Sequence, residues 1–377
     1  MSKKIIALLL AMLMLVTVFA SCGNGGGAAS YTSDNKEYFI GGTGPLTGDA
    51  SSYGISVQNG AKLAVEEINA NGGLNGVNFK FDIKDDQAAA DKASAAYDQL
   101  FEAGMQISIG SVTSGSCEAF ATKAKADSLF FITPSASADI CIAEPNAFRV
   151  CFGDPDQGVL AADELVANFE NIGAIYDTSD TYSTGIYEAF KARMAELNVE
   201  FKTETFDAEN KKDFSTQVEA LKDCDVIFLP FYYTEAGLVA KTAVAKGCDA
   251  VLFGCDGLDG VADQVDDTVT NTIKYITPFD VNSDNEKVAA FVAAYTEKYG
   301  SAPDQFAADG YDAVMVIYEA MKAAGVKDVT ISPDKLCDLV KDAITADGFV
   351  YSGVTGDMTW DASGAATKTP IIIELGK

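Results

Sequence analysis

Val57-Gln58-Asn59-Gly60-Ala61-Lys62-Leu63-Ala64-Val65-Glu66-Glu67-Ile68-Asn69-Ala70-Asn71-Gly72-Gly73 sets Val57, Ala61, Ala64, Val65 and Ile68 three and four residues apart, which is one face of a helix. Asn71-Gly72-Gly73 ends that helix. Upstream stand the β-rich run Tyr38-Phe39-Ile40 and a glycine-rich turn, and downstream comes a strand over 79–83. The alternation continues with a helix ending near Gly104, a strand over 107–110, another helix and a strand over 129–132. Repeated β-α-β units predict a doubly wound parallel sheet. A second series opens near Ile172, with strands over 173–176, 225–229, 250–253 and 272–276 separated by amphipathic helices such as 235–246. Two turn-rich segments, Gly153-Asp154-Pro155-Asp156-Gln157-Gly158 and Thr277-Pro278-Phe279-Asp280, separate the series. Long helices over 285–299 and 305–324 follow. If these return to the first series, more than one strand joins the lobes, a hinge that closes while resisting twist. The expectation is an α/β chain of two doubly wound parallel-sheet lobes joined by multiple hinge crossovers. The first lobe takes 37–154 with 281–367, and the second takes 155–280 with 368–377.

The N-terminus carries Lys3 and Lys4, then the apolar run 5–20, too short to span a bilayer comfortably. Residues 1–21 therefore read as a secretory signal. Phe19-Ala20-Ser21-Cys22 resembles the lipobox of bacterial lipoproteins, with Phe19 where Leu is usual, so Cys22 is the expected lipidation site. The alternative is ordinary cleavage nearby and an idle cysteine. Gly/Ser-rich residues follow Cys22, making 22–36 a flexible tether.

Lys and Arg number 27 against 55 Asp and Glu, a net charge of −28, and loss of Lys3 and Lys4 makes the mature chain more negative still. Phosphate backbones and anionic membrane surfaces repel such a chain, so no nucleic-acid partner is expected and the lipid is the expected membrane attachment. Histidine is absent, which removes the usual base of nucleophile triads and the commonest zinc ligand. Beyond Cys22 there are seven cysteines with no CxxC pair. A zinc cluster is not expected, and disulfides are open in an exported protein without being assignable. Gly41, Gly42, Gly44 and Gly48 lack a following GK[ST], and Asp85-Asp86 has no further ligand cluster, so neither a phosphate cradle nor a metal site is read there. No cofactor is expected.

Further motifs carry a resemblance over nearly the whole mature length. They are Gly44-Pro45-Leu46-Thr47-Gly48 with Tyr53-Gly54, the 59–69 helix segment, Asp85-Asp86, Ile109-Gly110-Ser111-Val112-Thr113-Ser114, Thr133-Pro134-Ser135-Ala136-Ser137 and Phe148-Arg149-Val150. Asp213-Phe214-Ser215, Tyr232, Gly254-Cys255-Asp256-Gly257 and Thr355-Gly356 follow in order. The chain resembles the periplasmic branched-chain amino-acid-binding (Leu/Ile/Val-binding) proteins of ABC importers, with the type I periplasmic-binding-protein fold. That resemblance implies a non-enzymatic, extracytoplasmic, monomeric protein that passes an amino acid to the permease subunits of an ABC transporter. It also implies site residues at the carboxyl ends of strands. Ser114 and Ser137 match hydroxyl donors to the ligand carboxylate, with Ser135 and Ala136 offering backbone groups. Asp256 matches the acidic partner of the ammonium, and Tyr53, Tyr182, Tyr232 and Phe306 match the side-chain wall. Without ligand, Asp256 is expected to face an open, solvated cleft.

Each residue also has a plainer reading. Residues 111–116 can be a polar loop capping a helix, Asp256 a turn residue before Gly257, and the aromatics core or rim. Arg149 reads as a brace for the crossover. A sensor of amides or other amino acids acting through a receptor is the rival function; an enzyme needs a Ser-Lys or paired-carboxylate site that the sequence does not display. The small, partly polar Thr113 and Ser135 leave the identity of the amino acid or amide open.

Overall fold

The computed structural model describes residues 35–375, so the expected signal, Cys22 and nearly all of the tether lie outside the described residues. β1 (Tyr38–Gly44), β2 (Phe79–Asp85), β3 (Ile107–Ser111), β4 (Phe131–Thr133) and β5 (Ala147–Arg149) make a parallel sheet in the order β2-β1-β3-β4-β5. α1 (Ser51–Ala70), α2 (Ala90–Glu102) and α3 (Ser114–Ala126) connect its first four strands. The order reverses between β1 and β3, and a crevice opens at the carboxyl ends of the strands at such a point.

α4 (Asp154–Asn168) leads to the second sheet. It contains β6 (Ile172–Asp177), β7 (Lys202–Phe206), β8 (Val226–Leu229), β9 (Val251–Gly254), β10 (Ile273–Thr277) and β13 (Ile371–Glu374) in the order β13-β10-β9-β8-β6-β7. β13 is antiparallel to β10 and the other pairings are parallel. α5 (Thr181–Glu196), α6 (Ser215–Leu221) and α7 (Tyr233–Lys246) are its crossovers. After β10 the chain returns to the first lobe as α8 (Glu286–Tyr299), α9 (Gln305–Ala323) and α10 (Pro333–Ile344). A hairpin of β11 (Tyr351–Gly353) and β12 (Gly356–Met358) follows, before the chain crosses back into β13. α9 packs along α1 and touches β3 and β4. These are two doubly wound lobes with three crossings between them.

α1 buries Tyr53, Val57, Ala61, Ala64, Val65 and Ile68, the face read from the 3.6-residue period. α9 is buried on most sides because it lies against α1 as well as the sheet. The two helices approach so closely that a Cβ on Gly60 would collide with the Ala307 carbonyl. Differences from the sequence reading sit at edges. Phe131 opens the fourth strand because the Leu129 amide is spent on the Ala124 carbonyl at the exit of α3, 2.9 Å away. β7 and β13 lie at sheet edges and are half exposed, so they lack the continuous apolar run of a buried parallel strand.

Candidate functional site

The carboxyl ends of the two sheets meet, and the loops there line one small cavity of about 10 Å³, room for about one water molecule. Its walls bring together Tyr53, Ser114, Ser135, Tyr182, Tyr232, Asp256 and Phe306, along with Val112, Thr113 and Gly257. Local chemistry places each wall residue. Asp85 accepts from the Leu46 amide at 2.9 Å and the Thr47 hydroxyl at 2.6 Å, fixing the loop that feeds Tyr53 into the first turn of α1. Asp180 caps α5 by accepting from the Ser183 amide at 2.9 Å, and Asp304 caps α9 through the Ala307 amide at 2.8 Å. These caps hold Tyr182 and Phe306 in the first turns of their helices.

The aromatics form two stacks, one from each lobe. Tyr53 and Phe306 lie 4.0 Å apart at 28°, and Tyr182 and Tyr232 lie 5.1 Å apart at 10°. Tyr53 meets Tyr232 edge to face at 5.6 Å, so the stacks close on one another. The Tyr53 hydroxyl, from the first lobe, donates to the Gly257 carbonyl of the second and accepts from the Tyr233 amide at 3.2 Å.

Asp256 stands in a 3-10 turn after β9. Its carboxylate accepts from the Tyr182 hydroxyl at 2.7 Å, its amide donates to Gln157 Oε1 at 3.0 Å, and its carbonyl accepts from Gln305 Nε2 at 2.7 Å. The open, solvated cleft expected around it is not what the structure has: Asp256 is 4% exposed. The bonds from Tyr53 and Gln305 draw the lobes together over it. Burial pushes its pKa up to about 6, with the Tyr182 hydroxyl opposing.

On the first-lobe side Ser114 opens α3 and its Oγ accepts from the Ala138 amide at 3.3 Å. The Ser135 hydroxyl donates to the Val112 carbonyl at 2.8 Å, tying the two site loops to each other. Ala136 and Ser137 stand outside the lining. The Ala136 amide donates to Thr133 Oγ1 at 3.0 Å, and the Ser137 carbonyl accepts from Asp154 N at 3.0 Å and Arg149 Nη1 at 2.8 Å. Arg149 also bonds Asp139 at 3.0 Å, and its carbonyl accepts from the Trp360 indole at 2.8 Å, a brace at the first crossing.

Val112, Gly257, Asp154 and Gln157 were not picked out as site residues from the sequence, which read Thr113 only as small and partly polar. Thr113 is buried and its hydroxyl has no partner among the described residues. The signal for Asp154 and Gln157 was the Asp-Pro-Asp-Gln-Gly segment, which reads as a turn. Beside the cavity, across Tyr232, a second one of about 270 Å³ opens at the mouth between the lobes. Lys211 spans it, 2.9 Å from Asp49 of the first lobe and 3.1 Å from Glu235 of the second. All seven cysteines beyond Cys22 are buried free thiols.

The profile of the family described as periplasmic binding protein matches residues 37–373. The Leu/Ile/Val-binding protein BraC3 of Rhizobium johnstonii is 29% identical over 84% of this chain and 87% of its own length. The leucine-, isoleucine-, valine-, threonine-, and alanine-binding protein of Pseudomonas aeruginosa is 27% identical over 90% of this chain and 89% of its own. Among solved structures, the branched-chain amino acid transporter substrate-binding protein LivJ of Streptococcus pneumoniae, in complex with isoleucine, superposes with a TM-score of 0.80. It is 29% identical and covers 89% of this chain and 95% of the other. Two facing sheets with a site between their carboxyl ends, and a profile that spans both, place this chain in the periplasmic binding protein family of solute-binding, non-enzymatic proteins.

Proposed function

We propose that this chain captures an amino acid, branched-chain or otherwise aliphatic, between its lobes and delivers it to the permease subunits of an ABC importer. The observation that carries the reading is the pocket in which a carboxylate, hydroxyls at a helix start and four aromatic rings converge from both lobes. A free amino acid needs all three: a cation site, an anion site and an apolar wall. Asp256 takes the ammonium. Ser114, with the amides at the start of α3, takes the carboxylate. Tyr53, Tyr182, Tyr232 and Phe306 wall the side chain, while Ser135, Ala136 and Ser137 shape the loop beneath. Relatives named for leucine, isoleucine and valine support this choice of ligand.

An amino acid does not fit a cavity of about 10 Å³, so entry requires the lobes to part and the rings to move. The lobes divide at the crossings near Asp154 and Asp280, as 37–154 with 281–367 and 155–280 with 368–377. Burying a Leu-sized side chain contributes about 1.5–3 kcal/mol. One methylene discriminates by only about 1–3 kcal/mol, so a group of ligands is expected. The protein works outside the cytoplasm as a monomer, held to the membrane by lipid on Cys22. Thermal-shift titration against the twenty amino acids tests the reading: leucine, isoleucine or valine should raise the melting temperature most. A panel in which no amino acid raises it would sink the proposal. For the anchor, fatty-acid labelling should mark the wild type and not Cys22→Ala.

A further inference from the structure

Asp304 is the N-cap of α9, where its carboxylate accepts from the Ala307 amide at 2.8 Å and from the Ser56 hydroxyl of α1 at 2.6 Å. A second carboxylate reaches the same helix start from the other lobe. Asp259, at the exit of the 3-10 turn that carries Asp256, accepts from the Gln305 amide at 2.9 Å and from the Tyr275 hydroxyl of β10 at 3.2 Å. Gln305 follows Asp304 in the chain, so two half-buried acids, one from each lobe, converge on one helix start and act on each other.

The start of a helix carries about half a positive charge, which favours one anion beside it and not two. The other charged groups that bear on the pair are also acids: Asp256 and Asp263 on either side of Asp259 in the chain, and Asp309 one turn into α9. α1, α8 and β10 present hydroxyls to it, those of Ser56, Tyr295 and Tyr275. Burial and then mutual repulsion raise the Asp304 carboxyl, and burial raises Asp259, so the closed pair holds a proton between its members. When the lobes part, the bond from Gln305 to Asp259 breaks and each carboxylate ionises separately in water. Closing therefore takes up a proton: it is favoured below the raised pKa of the closed pair and loses that support as pH rises through it.

We propose that Asp259 and Asp304 form a proton-operated latch between the lobes, fastened when the pair carries one proton and released when both carboxylates ionise. The inference rests on the lobes parting to admit a ligand, and it does not depend on which ligand enters.

The test sets the wild type against Asp304→Asn. Asparagine caps a helix as well as aspartate does and can still accept from Ala307, so the variant keeps the fold, as a melting curve should show, and loses the repulsion. Small-angle scattering without ligand should give the wild type a larger radius of gyration at pH 8 than at pH 5.5, and the variant the same compact radius at both. Calorimetric titration uses leucine or, if leucine does not bind, the tightest amino acid of the panel. From pH 5.5 to pH 8 the wild type should lose about tenfold more affinity than the variant, the effect of one bound proton over one pH unit. Near pH 7, in two buffers of different ionisation enthalpy, the wild type should also take up more protons on binding, which a merely structural role of Asp304 would not produce. A wild-type radius that ignores pH overturns the latch. So does an equal loss of affinity in the two proteins, and the amino-acid reading then stands. If the wild type binds no amino acid, that reading falls and the radius alone decides the latch.

Discussion

Replacing Asp256 with Asn keeps its size and removes its charge, leaving an enclosed ammonium with no counter-ion from the second lobe. The expected loss is about 2–5 kcal/mol, the range for truncating one partner of a buried charge pair. In dissociation constant that is roughly thirty- to several-thousand-fold, read by calorimetric titration. The unliganded protein should respond in the opposite sense. Burial raises the Asp256 pKa to about 6, so the folded state holds a proton there that the unfolded chain gives up near pH 4. The ionised form therefore works against the fold above pH 6, and Asp256→Asn should melt at or above the wild-type temperature there, with the gain gone below about pH 4. At this scale the sequence was legible where a residue type stands in a loop motif, as for Asp256, Ser114 and Tyr53. It was silent on Asp154, because an Asp before a Pro reads as a turn until a second lobe is folded over it. It also did not foresee that Asp256 is covered, since that cover comes from Tyr53 and Gln305, distant in sequence.

Helix α1 can be read in outline from one face of its sequence, but what that face rests on comes from α9, more than two hundred residues later. Their contact depends on Gly60, so Gly60→Ala should destabilise by about 1–3 kcal/mol, the usual cost of overpacking, measurable by denaturant unfolding. The interior parallel strands were legible because burial on both faces requires continuous apolar runs, whereas edge strands such as β7 and β13 carry mixed faces. At the mouth, the segment between β7 and α6 supplies Lys211, which bridges Asp49 and Glu235 across the lobes. Lys211→Ala should weaken closure modestly, by no more than about 1 kcal/mol for a partly exposed pair. Stopped-flow dissociation should show it as a faster off-rate, less marked at high salt, where the wild-type bridge is already screened.

Across the whole molecule, ligand must favour closed lobes over open ones to shift the population. Small-angle scattering should show compaction when the preferred amino acid is added; an unchanged radius of gyration at saturation would argue against a clamp. Charge sets the pH optimum. Burial raises Asp86, Asp180 and Asp256 to about 6, and all three destabilise the fold as they ionise. Half-buried Asp85 and exposed Asp225 and Asp328 are held low by hydrogen bonds and lose that support only under strong acid. Ligand-free stability should therefore be highest near pH 4, fall as these groups ionise between about pH 4 and pH 6, and change little above that apart from the self-repulsion of a net charge of −28; calorimetry from pH 4 to 7.5 checks it. The brace at the first crossing has an optical consequence. Trp360 is the chain's one tryptophan, and its indole N–H is tied to the Arg149 carbonyl where the lobes join. Any rotation about that crossing alters the indole's polarity and hydrogen bond, so the protein has a built-in fluorophore at its hinge. Its emission should shift as amino acid is titrated in, giving binding isotherms and closure rates without a label.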